Sequence, residues 1–356
     1  MDWKRLFRIH TAGADFVIRA KRGLRFSVSA SRPVDQPAGL RCDQTLRLNS
    51  PFSPLRMALR RSAVRRLIVV LMKLCRYLDA NGQARVGLIE TDSVIRDLTA
   101  AGLERISPLL ESQGFVAELA RLARQDLPTL PLTVENLLAP VEEQEIWAAG
   151  VTYLRSKTAR MEESDFSATA YDRVYEASRP ELFFKAMPHK VVPPGDPVGI
   201  RRDAQWSVPE PELALVMNSR GEVVGYTLGN DMSSRDIEGE NLLYLPQAKI
   251  YDRSCAIGPC IRVGASEAEV REWGIKLQIS RGGAVIFKGE TSVGQIKRRF
   301  EELAGYLFRC QKFPQGAVLL TGTGIVPPDG FTLQPGDQVV MNISGIGTLV
   351  NPVVEV

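Results

Sequence analysis

A change in composition at Met72 constrains this chain more than any other feature of its sequence. Residues 1–71 carry 15 basic and four acidic side chains, which gives this segment a net charge of +11. Because the whole chain carries +4, residues 72–356 carry −7. The first segment shows no sustained helical or strand periodicity, so we expect it to be disordered or to lie outside the functional protein.

Three interpretations of this basic segment stay open. An arginine-rich, acid-poor stretch is typical of an organelle-targeting peptide, and it is also compatible with a basic arm that binds nucleic acid. The third interpretation is that the segment is upstream sequence read in frame, and that the functional protein starts at Met72. We favour the last interpretation, because the chain reads as a compact domain from Met72 onward and no aromatic–basic interleaving supports nucleic-acid binding.

Short strand-like runs separated by turn residues dominate the chain beyond Met72. In the first part the predicted strands are 73–78, 84–90 and 93–98. A predicted helix over 106–123 follows them, with Leu109, Leu110 and Leu119 near one face. Prolines then break the chain, so we predict a small N-terminal α/β domain over residues 72–139 and a larger domain over 140–356.

The larger domain reads as mostly strand, which predicts a mixed, β-rich α/β fold whose sheet is rolled on itself. Its predicted strands are 212–217, 223–229, 275–279, 284–287, 317–320, 338–343 and 348–356. One amphipathic helix interrupts them, with its apolar residues spaced four, three and four apart. These residues are Ile296, Phe300, Leu303 and Leu307.

The scarcity of histidine argues against many familiar enzyme classes. The only two histidines are His10 and His189, whereas a Ser-His-Asp triad, a Cys-His pair or a histidine-rich zinc site each needs at least one well-placed histidine. Five scattered cysteines form no CxxC pair, which fits a reducing cytoplasm. No apolar run is long enough for a transmembrane helix, so we expect no membrane partner.

Three carboxylates form the first notable pattern. Glu210 and Glu212 are two residues apart, and the prolines at 209 and 211 favour an extended chain in which both side chains leave the same face. Asp231 follows a predicted hairpin that would return it towards the two glutamates. The alternative is an exposed edge strand with solvated glutamates, but the apolar run after Glu212 suggests entry into a core. Three carboxylates with open positions suit Mg²⁺, or alternatively Mn²⁺.

Two further segments carry candidate polar groups. Lys249 lies in an apolar stretch, where it is either a base or charge partner for chemistry or a surface lysine whose stem covers apolar surface. Glu181 and Lys185 flank the aromatic pair of the segment RPELFFK, which is otherwise read as a structural ion-pair segment. No P-loop and no strand-associated GxGxxG motif is present, so nucleotide binding is unsupported.

In this order, ExE, DMSSRD, a lysine, TGT and LQPGD resemble the fumarylacetoacetate hydrolase family over about residues 145–356. The resemblance implies a rolled mixed β-sheet around a divalent metal, with Glu210, Glu212 and Asp231 as its ligands. It further implies that Lys249 faces the substrate and that Thr323, in the TGT turn, contacts the substrate carboxylate.

One departure from the family pattern bears on the reaction. Hydrolytic members carry a GxNYxxHxxE motif whose His-Glu dyad activates water, whereas Ser156 occupies the histidine position here. The segments RPELFFKA, VPEPELALV and GNDMSSRDIEGEN are most similar to family members that dehydrate 2-keto-3-deoxy sugar acids. The resemblance therefore implies loss of water from a 2-keto-3-deoxypentonate in sugar-acid catabolism.

The predicted roles follow from that chemistry. We hypothesise that Lys249 is the base at C3 or the partner of the enolate, and that Glu181 assists departure of the hydroxyl group as an acid, although the two roles are exchangeable. Arg155, Ser156 and Lys185 would position the substrate. The resemblance also suggests a homo-oligomer that acts on a small 2-keto acid, and the cysteine pattern places it in the cytoplasm.

Other functions stay open at this point. An acylpyruvate or diketo-acid hydrolase would need a base other than the missing histidine, and an oxaloacetate-type decarboxylase could use the same metal site. A non-catalytic binding protein that uses the basic arm is a third alternative. The three carboxylates argue against that third alternative, because they would be costly to bring together without a metal.

Overall fold

The computed structural model describes residues 72–153 and 173–356 in full, together with the backbone of residues 6–11, 14–21 and 25–31. The chain divides into two compact units, residues 1–57 and 58–356. The first unit contains an antiparallel sheet of three strands, which corrects the expectation that this segment lacks regular structure. They are β1 (Leu6–Thr11), β2 (Ala14–Lys21) and β3 (Arg25–Ser31). The sequence of β3 alternates Phe26, Val28 and Ala30 with serines, a short strand pattern that this expectation overlooked. That residues 1–71 lie outside the functional protein stays a prediction.

The second unit is rich in strands. The strands up to residue 200 are β4 (Lys73–Leu78), β5 (Ala84–Thr91), β6 (Val94–Asp97), β7 (Thr129–Pro131), β8 (Leu137–Leu138), β9 (Glu145–Gly150), β10 (Glu181–Ala186) and β11 (Val198–Ile200). The later strands are β12 (Ser207–Val208), β13 (Pro211–Met217), β14 (Val223–Asp231), β15 (Ser233–Ser234), β16 (Cys255–Arg262), β17 (Gly274–Arg281), β18 (Ala284–Ser292), β19 (Ala317–Leu320), β20 (Gln338–Ile343) and β21 (Gly347–Glu355).

The helices of the second unit are short. They are α1 (Ile106–Glu111), α2 (Phe115–Leu122), α3 (Arg235–Glu240), α4 (Leu245–Lys249), α5 (Glu267–Val270) and α6 (Phe300–Leu307). Within the described residues, no helix is long and apolar enough to cross a membrane.

Most strands belong to two mixed sheets. The larger has the order β10-β9-β19-β13-β14-β16-β4-β5-β6-β7, with β8 also paired to β4, and the smaller has the order β11-β21-β20-β17-β18. Strands β9 and β19 run parallel, whereas β13 pairs antiparallel with both β14 and β19. The predicted mixed, β-rich α/β fold class is therefore confirmed.

The middle of the larger sheet is buried on both faces. Along β13, Leu213 and Leu215 belong to one apolar cluster, whereas Ala214 and Val216 belong to a second cluster. Successive side chains of a strand point to opposite faces, so the two clusters lie on either side of the sheet. A strand held in this way has little freedom to shift, which suits it to position a charged site.

Residues 72–139 extend the larger sheet through pairing of Leu74 in β4 with Ile261 in β16. A boundary near residue 139 stays a prediction.

The single helix predicted over 106–123 is wrong in one respect, because it is two helices separated at Gly114, whose φ is +74°. The predicted second helix begins at Phe300, and Ile296 lies before it, directly after a turn of 3₁₀ helix over Val293–Gln295.

We predict opposite effects of alanine at two exposed glycines, neither of which has an atom within 4 Å of the position that an added Cβ would take. Gly114→Ala is expected to lower the free energy of unfolding by about 1 kcal/mol, because an alanine is strained at positive φ. Gly305→Ala, in the interior of α6, is expected to raise it by about 0.5–1 kcal/mol. Urea unfolding measures the free energy of unfolding of both variants. A change of the same sign in both would contradict the conclusion that the positive φ of Gly114 separates α1 from α2.

Candidate active site

Three carboxylates meet at the open end of the β13–β14 hairpin. Glu210 directly precedes β13, Glu212 lies within it, and Asp231 ends β14. The Asp231 amide donates to the carbonyl of Glu210 at 3.0 Å, which fixes the two segments side by side. One oxygen from each carboxylate lies within 4.8 Å of the others, and all three residues are buried. The sequence prediction that the hairpin brings them together therefore agrees with the geometry.

Three cations surround these carboxylates. The Lys249 ammonium lies 2.8 Å from Glu210 Oε2 and 3.2 Å from Asp231 Oδ2, and it donates to Ser233 Oγ at 2.5 Å. Arg235 Nη2 donates to Glu210 Oε1 at 2.9 Å. Removing an ion from water costs several kcal/mol unless a close partner offsets it, so these contacts allow the acidic cluster to exist inside the protein.

Lys185 is the third cation and is completely buried. Its Nζ lies 2.5 Å from Asp231 Oδ1, and it donates to the carbonyl of Met232 at 3.0 Å and to the carbonyl of Lys249. It is not among the described residues that line the cavity in front of the carboxylates. The sequence suggested contact with substrate, whereas the structure places Lys185 where it holds Asp231; the substrate contact itself stays a prediction.

Burial and charge act together on Glu212. Burial, followed by the charges of Asp231 and Glu210, raises the pKa of the Glu212 carboxyl well above its ordinary value, and Lys249 and an N–H of Gly322 oppose this only in part. The Gly322 N–H donates to Glu212 Oε2 at 2.6 Å. A nearby divalent cation favours ionised carboxylates, so this cluster has the electrostatic character of a cation site.

The donor set fits magnesium. Mg²⁺ prefers oxygen ligands at about 2.0–2.1 Å, which puts oxygens on opposite sides of the ion about 4 Å apart. The three carboxylate oxygens lie within 4.8 Å of one another, so their type and spacing are compatible with one Mg²⁺ ion.

A cavity opens in front of the carboxylates. Its lining consists of Ala149, Gly150, Val151, Glu181, Phe183, Glu210, Glu212, Asp231, Glu238, Lys249, Gly322 and Thr323. Glu181 in β10 pairs with Gly150 in β9, and a Cβ atom at position 150 would lie 2.0 Å from Glu181 Oε2. The glycine thus leaves the space that the Glu181 carboxylate occupies.

The TGT turn serves both the carboxylates and the cavity. Thr321 Oγ1 donates to the carbonyl of Leu213 at 2.8 Å, which ties the turn to β13. Gly322 has a φ of +88°, and a Cβ there would lie 2.2 Å from Thr152 Oγ1, so both conformation and space call for glycine. Thr323 lines the cavity, and its Oγ1 accepts from the Ile325 amide at 3.2 Å.

The structure therefore brings together six of the residues proposed from sequence, with Lys185 directly behind them. The six are Glu181, Glu210, Glu212, Asp231, Lys249 and Thr323. Arg155 and Ser156 lie outside the described residues. His189 is exposed in the turn after β10 and is not one of the described residues around the cavity.

Sequence reasoning missed Arg235 and Glu238. Both are buried on α3, three residues apart, which places them on one face of the helix. They lie within the DMSSRDIEGE segment that carries Asp231, so the available signal was this i, i+3 spacing of charged residues directly after a metal-ligand candidate.

Replacing the fully buried lysine should destabilise the fold. Lys185→Met leaves the Asp231 charge without its closest cation, so we expect the free energy of unfolding to fall by about 3–5 kcal/mol. Lys190→Met, at an exposed position shortly after β10, is the control and should change it by less than about 0.5 kcal/mol. Urea unfolding measures both, and equal effects would contradict the role assigned to Lys185.

Comparison with known proteins places these features in a family. Residues 145–354 match the family model described as fumarylacetoacetate (FAA) hydrolase C-terminal. The chain is 45% identical over 278 residues to a probable 2-keto-3-deoxyxylonate dehydratase of Haloferax volcanii, which covers 74% of this chain and 94% of that protein. It is 35% identical to the 2-dehydro-3-deoxy-D-arabinonate dehydratase of Saccharolobus solfataricus, which covers 80% and 97%.

A solved structure agrees with the sequence relatives. It is 2-keto-3-deoxy-D-arabinonate dehydratase complexed with magnesium and 2,5-dioxopentanoate, which matches with a TM-score of 0.66 and 33% identity. The match covers 80% of this chain and 99% of that chain. This chain belongs to the fumarylacetoacetate hydrolase family.

Proposed function

We propose that this protein is a magnesium-dependent hydro-lyase that converts a 2-keto-3-deoxypentonate, such as 2-dehydro-3-deoxy-D-arabinonate, into 2,5-dioxopentanoate and water. The observation that carries the proposal is the buried carboxylate cluster with Lys249 and Glu181 around one cavity. Its relatives are dehydratases of this substrate class, and a structural neighbour contains magnesium together with 2,5-dioxopentanoate.

In this proposal Glu210, Glu212 and Asp231 hold the ion, and Mn²⁺ satisfies the same oxygen donors. When bound, the ion supplies a Lewis acid that stabilises negative charge on the oxygens of a 2-keto acid. Arg235 and Lys185 keep two of the carboxylates in place from behind.

Lys249 and Glu181 are proposed to carry the proton transfers of the elimination. Removal of the C3 proton places electron density beside the C4 hydroxyl group, which leaves as water when an acid protonates it. Lys249 contacts two of the carboxylates and lines the cavity, so it suits the C3 end of the substrate as base or as partner of the developing negative charge. Glu181, which enters from β10, suits the hydroxyl end, and the two roles are exchangeable.

The remaining substrate contacts are proposed from both sequence and structure. Thr323 lines the cavity from the TGT turn and would donate to the substrate carboxylate. Arg155 and Ser156 would position the rest of the substrate, a proposal that rests on the sequence resemblance alone.

Hydrolysis is a weaker candidate. It requires a base that activates water, and the position at which hydrolytic relatives carry histidine is Ser156. Dehydration needs no activated water, and its proton transfers can be served by a lysine and a carboxylate. Acylpyruvate hydrolysis and oxaloacetate-type decarboxylation stay as the alternatives that an assay must test.

We also propose a cytoplasmic homo-oligomer whose partner is a small 2-keto acid rather than nucleic acid or a membrane. Free thiols at Cys75, Cys255 and Cys260 suit a reducing compartment. Strand β18 forms an edge of the smaller sheet and exposes Val285 and Ile286, which suits contact with another copy. Light scattering of the purified chain tests the assembly, and a monomer at micromolar concentration would contradict it.

NMR of the full chain with Mg²⁺ and 2-keto-3-deoxy-D-arabinonate tests the proposed reaction. We expect the substrate signals to disappear and a C5 aldehyde signal to appear, both dependent on the metal. An unchanged substrate combined with cleavage of an acylpyruvate would instead indicate the hydrolase, and loss of carbon dioxide from oxaloacetate would indicate the decarboxylase.

Replacement of one carboxylate should remove the metal and the activity together. Glu212→Gln is expected to weaken Mg²⁺ binding by at least about 100-fold and to reduce aldehyde formation in parallel, because a neutral amide is a poorer ligand than a carboxylate. Titration calorimetry with Mg²⁺ and the NMR assay measure the two effects. Asp252→Asn, whose side chain is 75% exposed, is the matched control; unchanged Mg²⁺ binding in Glu212→Gln would contradict the assignment.

A further inference from the structure

The proposed reaction requires more proton transfers than the elimination itself, an inference that rests on the proposed function. Loss of the C3 proton and the C4 hydroxyl group leaves a C3=C4 double bond and an unchanged C5 alcohol. The aldehyde of 2,5-dioxopentanoate forms only when a proton leaves C5 and protons are delivered to C3 and C4. Lys249 and Glu181 are assigned to the elimination, so a further carboxylate in the same cavity is a candidate acceptor for the C5 proton.

Glu238 is placed to serve that step. Its side chain lines the same cavity as Lys249 and Glu181, and the residue is only 2% exposed. It enters from α3, which packs against α4, the helix that carries Lys249. The cavity therefore receives a carboxylate from α3 in addition to the carboxylate that β10 supplies.

The orientation of α3 is fixed by the carboxylate cluster. Arg235, one turn before Glu238, bonds Glu210 Oε1 at 2.9 Å. Residues three apart lie on the same helix face, so the contact that anchors Arg235 also turns Glu238 towards the cavity. Glu240, two residues further along, is exposed on the other side of the helix.

We propose that Glu238 is a third proton-transfer group, whose carboxylate takes the C5 proton after water has left. The C5–H electron pair then forms the C4=C5 double bond, and the C3=C4 pair moves towards C2 and its keto oxygen. Proton delivery at C3 restores the ketone. Proton delivery at C4, with loss of the C5 hydroxyl proton, completes the aldehyde. The substrate loses one water overall, and no oxidant or reductant is consumed.

The test compares Glu238→Gln with the wild-type chain in the presence of Mg²⁺ and 2-keto-3-deoxy-D-arabinonate. NMR follows substrate, olefinic protons at C3 and C4, and the C5 aldehyde in one sample. We expect the variant to consume substrate and accumulate the unsaturated 2-keto acid, while aldehyde formation falls by about 100-fold or more, the usual effect of removing a general base. Glu240→Gln, on the exposed side of α3, is the matched control and should behave as wild type.

If Glu238→Gln does not fold, Glu238→Asp is tested instead, because it keeps the buried charge. It should slow aldehyde formation while the same unsaturated acid appears transiently. A variant that forms aldehyde and unsaturated acid in the wild-type ratio would overturn the proposal. A variant that folds but consumes no substrate would also overturn it, because the C5 step follows loss of water and its removal should leave substrate consumption intact. Failure of the proposed function gives a different result, since the wild-type chain itself would then leave this substrate unchanged.

Discussion

The pairing of β13 with β14 is the constraint on which the rest of the site depends. It places Asp231 beside Glu210 and Glu212 inside a sheet that is buried on both faces. Three like charges at this spacing repel one another and are costly to bury. The contacts of Lys249, Lys185 and Arg235 offset that cost, and they also hold the carboxylates in one arrangement.

The same cations connect the acidic cluster to the elements that surround the cavity. Lys185 joins it to β10, Arg235 to α3, and Lys249 to α4. Glu181 and Glu238 lie on two of these elements, β10 and α3. The charge contacts therefore set the positions of the groups proposed for proton transfer as well as the positions of the proposed metal ligands.

The sequence predicted the parts of the site that follow from local pattern. The ExE spacing on an extended segment and the following hairpin placed Glu210, Glu212 and Asp231 correctly relative to one another. The sequence did not predict the contact of Lys185 with Asp231, because the residue pattern of β10 carries no information about which residues of other strands its side chains contact. It also missed Glu238, since α3 has only six residues and no apolar period that identifies its buried face.

A crystal structure of the full chain grown with Mn²⁺, with anomalous diffraction data, tests the central claim most directly. We predict one anomalous peak within direct coordination distance of a carboxylate oxygen from each of Glu210, Glu212 and Asp231, facing the cavity that Lys249 and Glu181 line. An ion bound elsewhere, or a well-ordered cluster of the three carboxylates without an ion at saturating Mn²⁺, would contradict it.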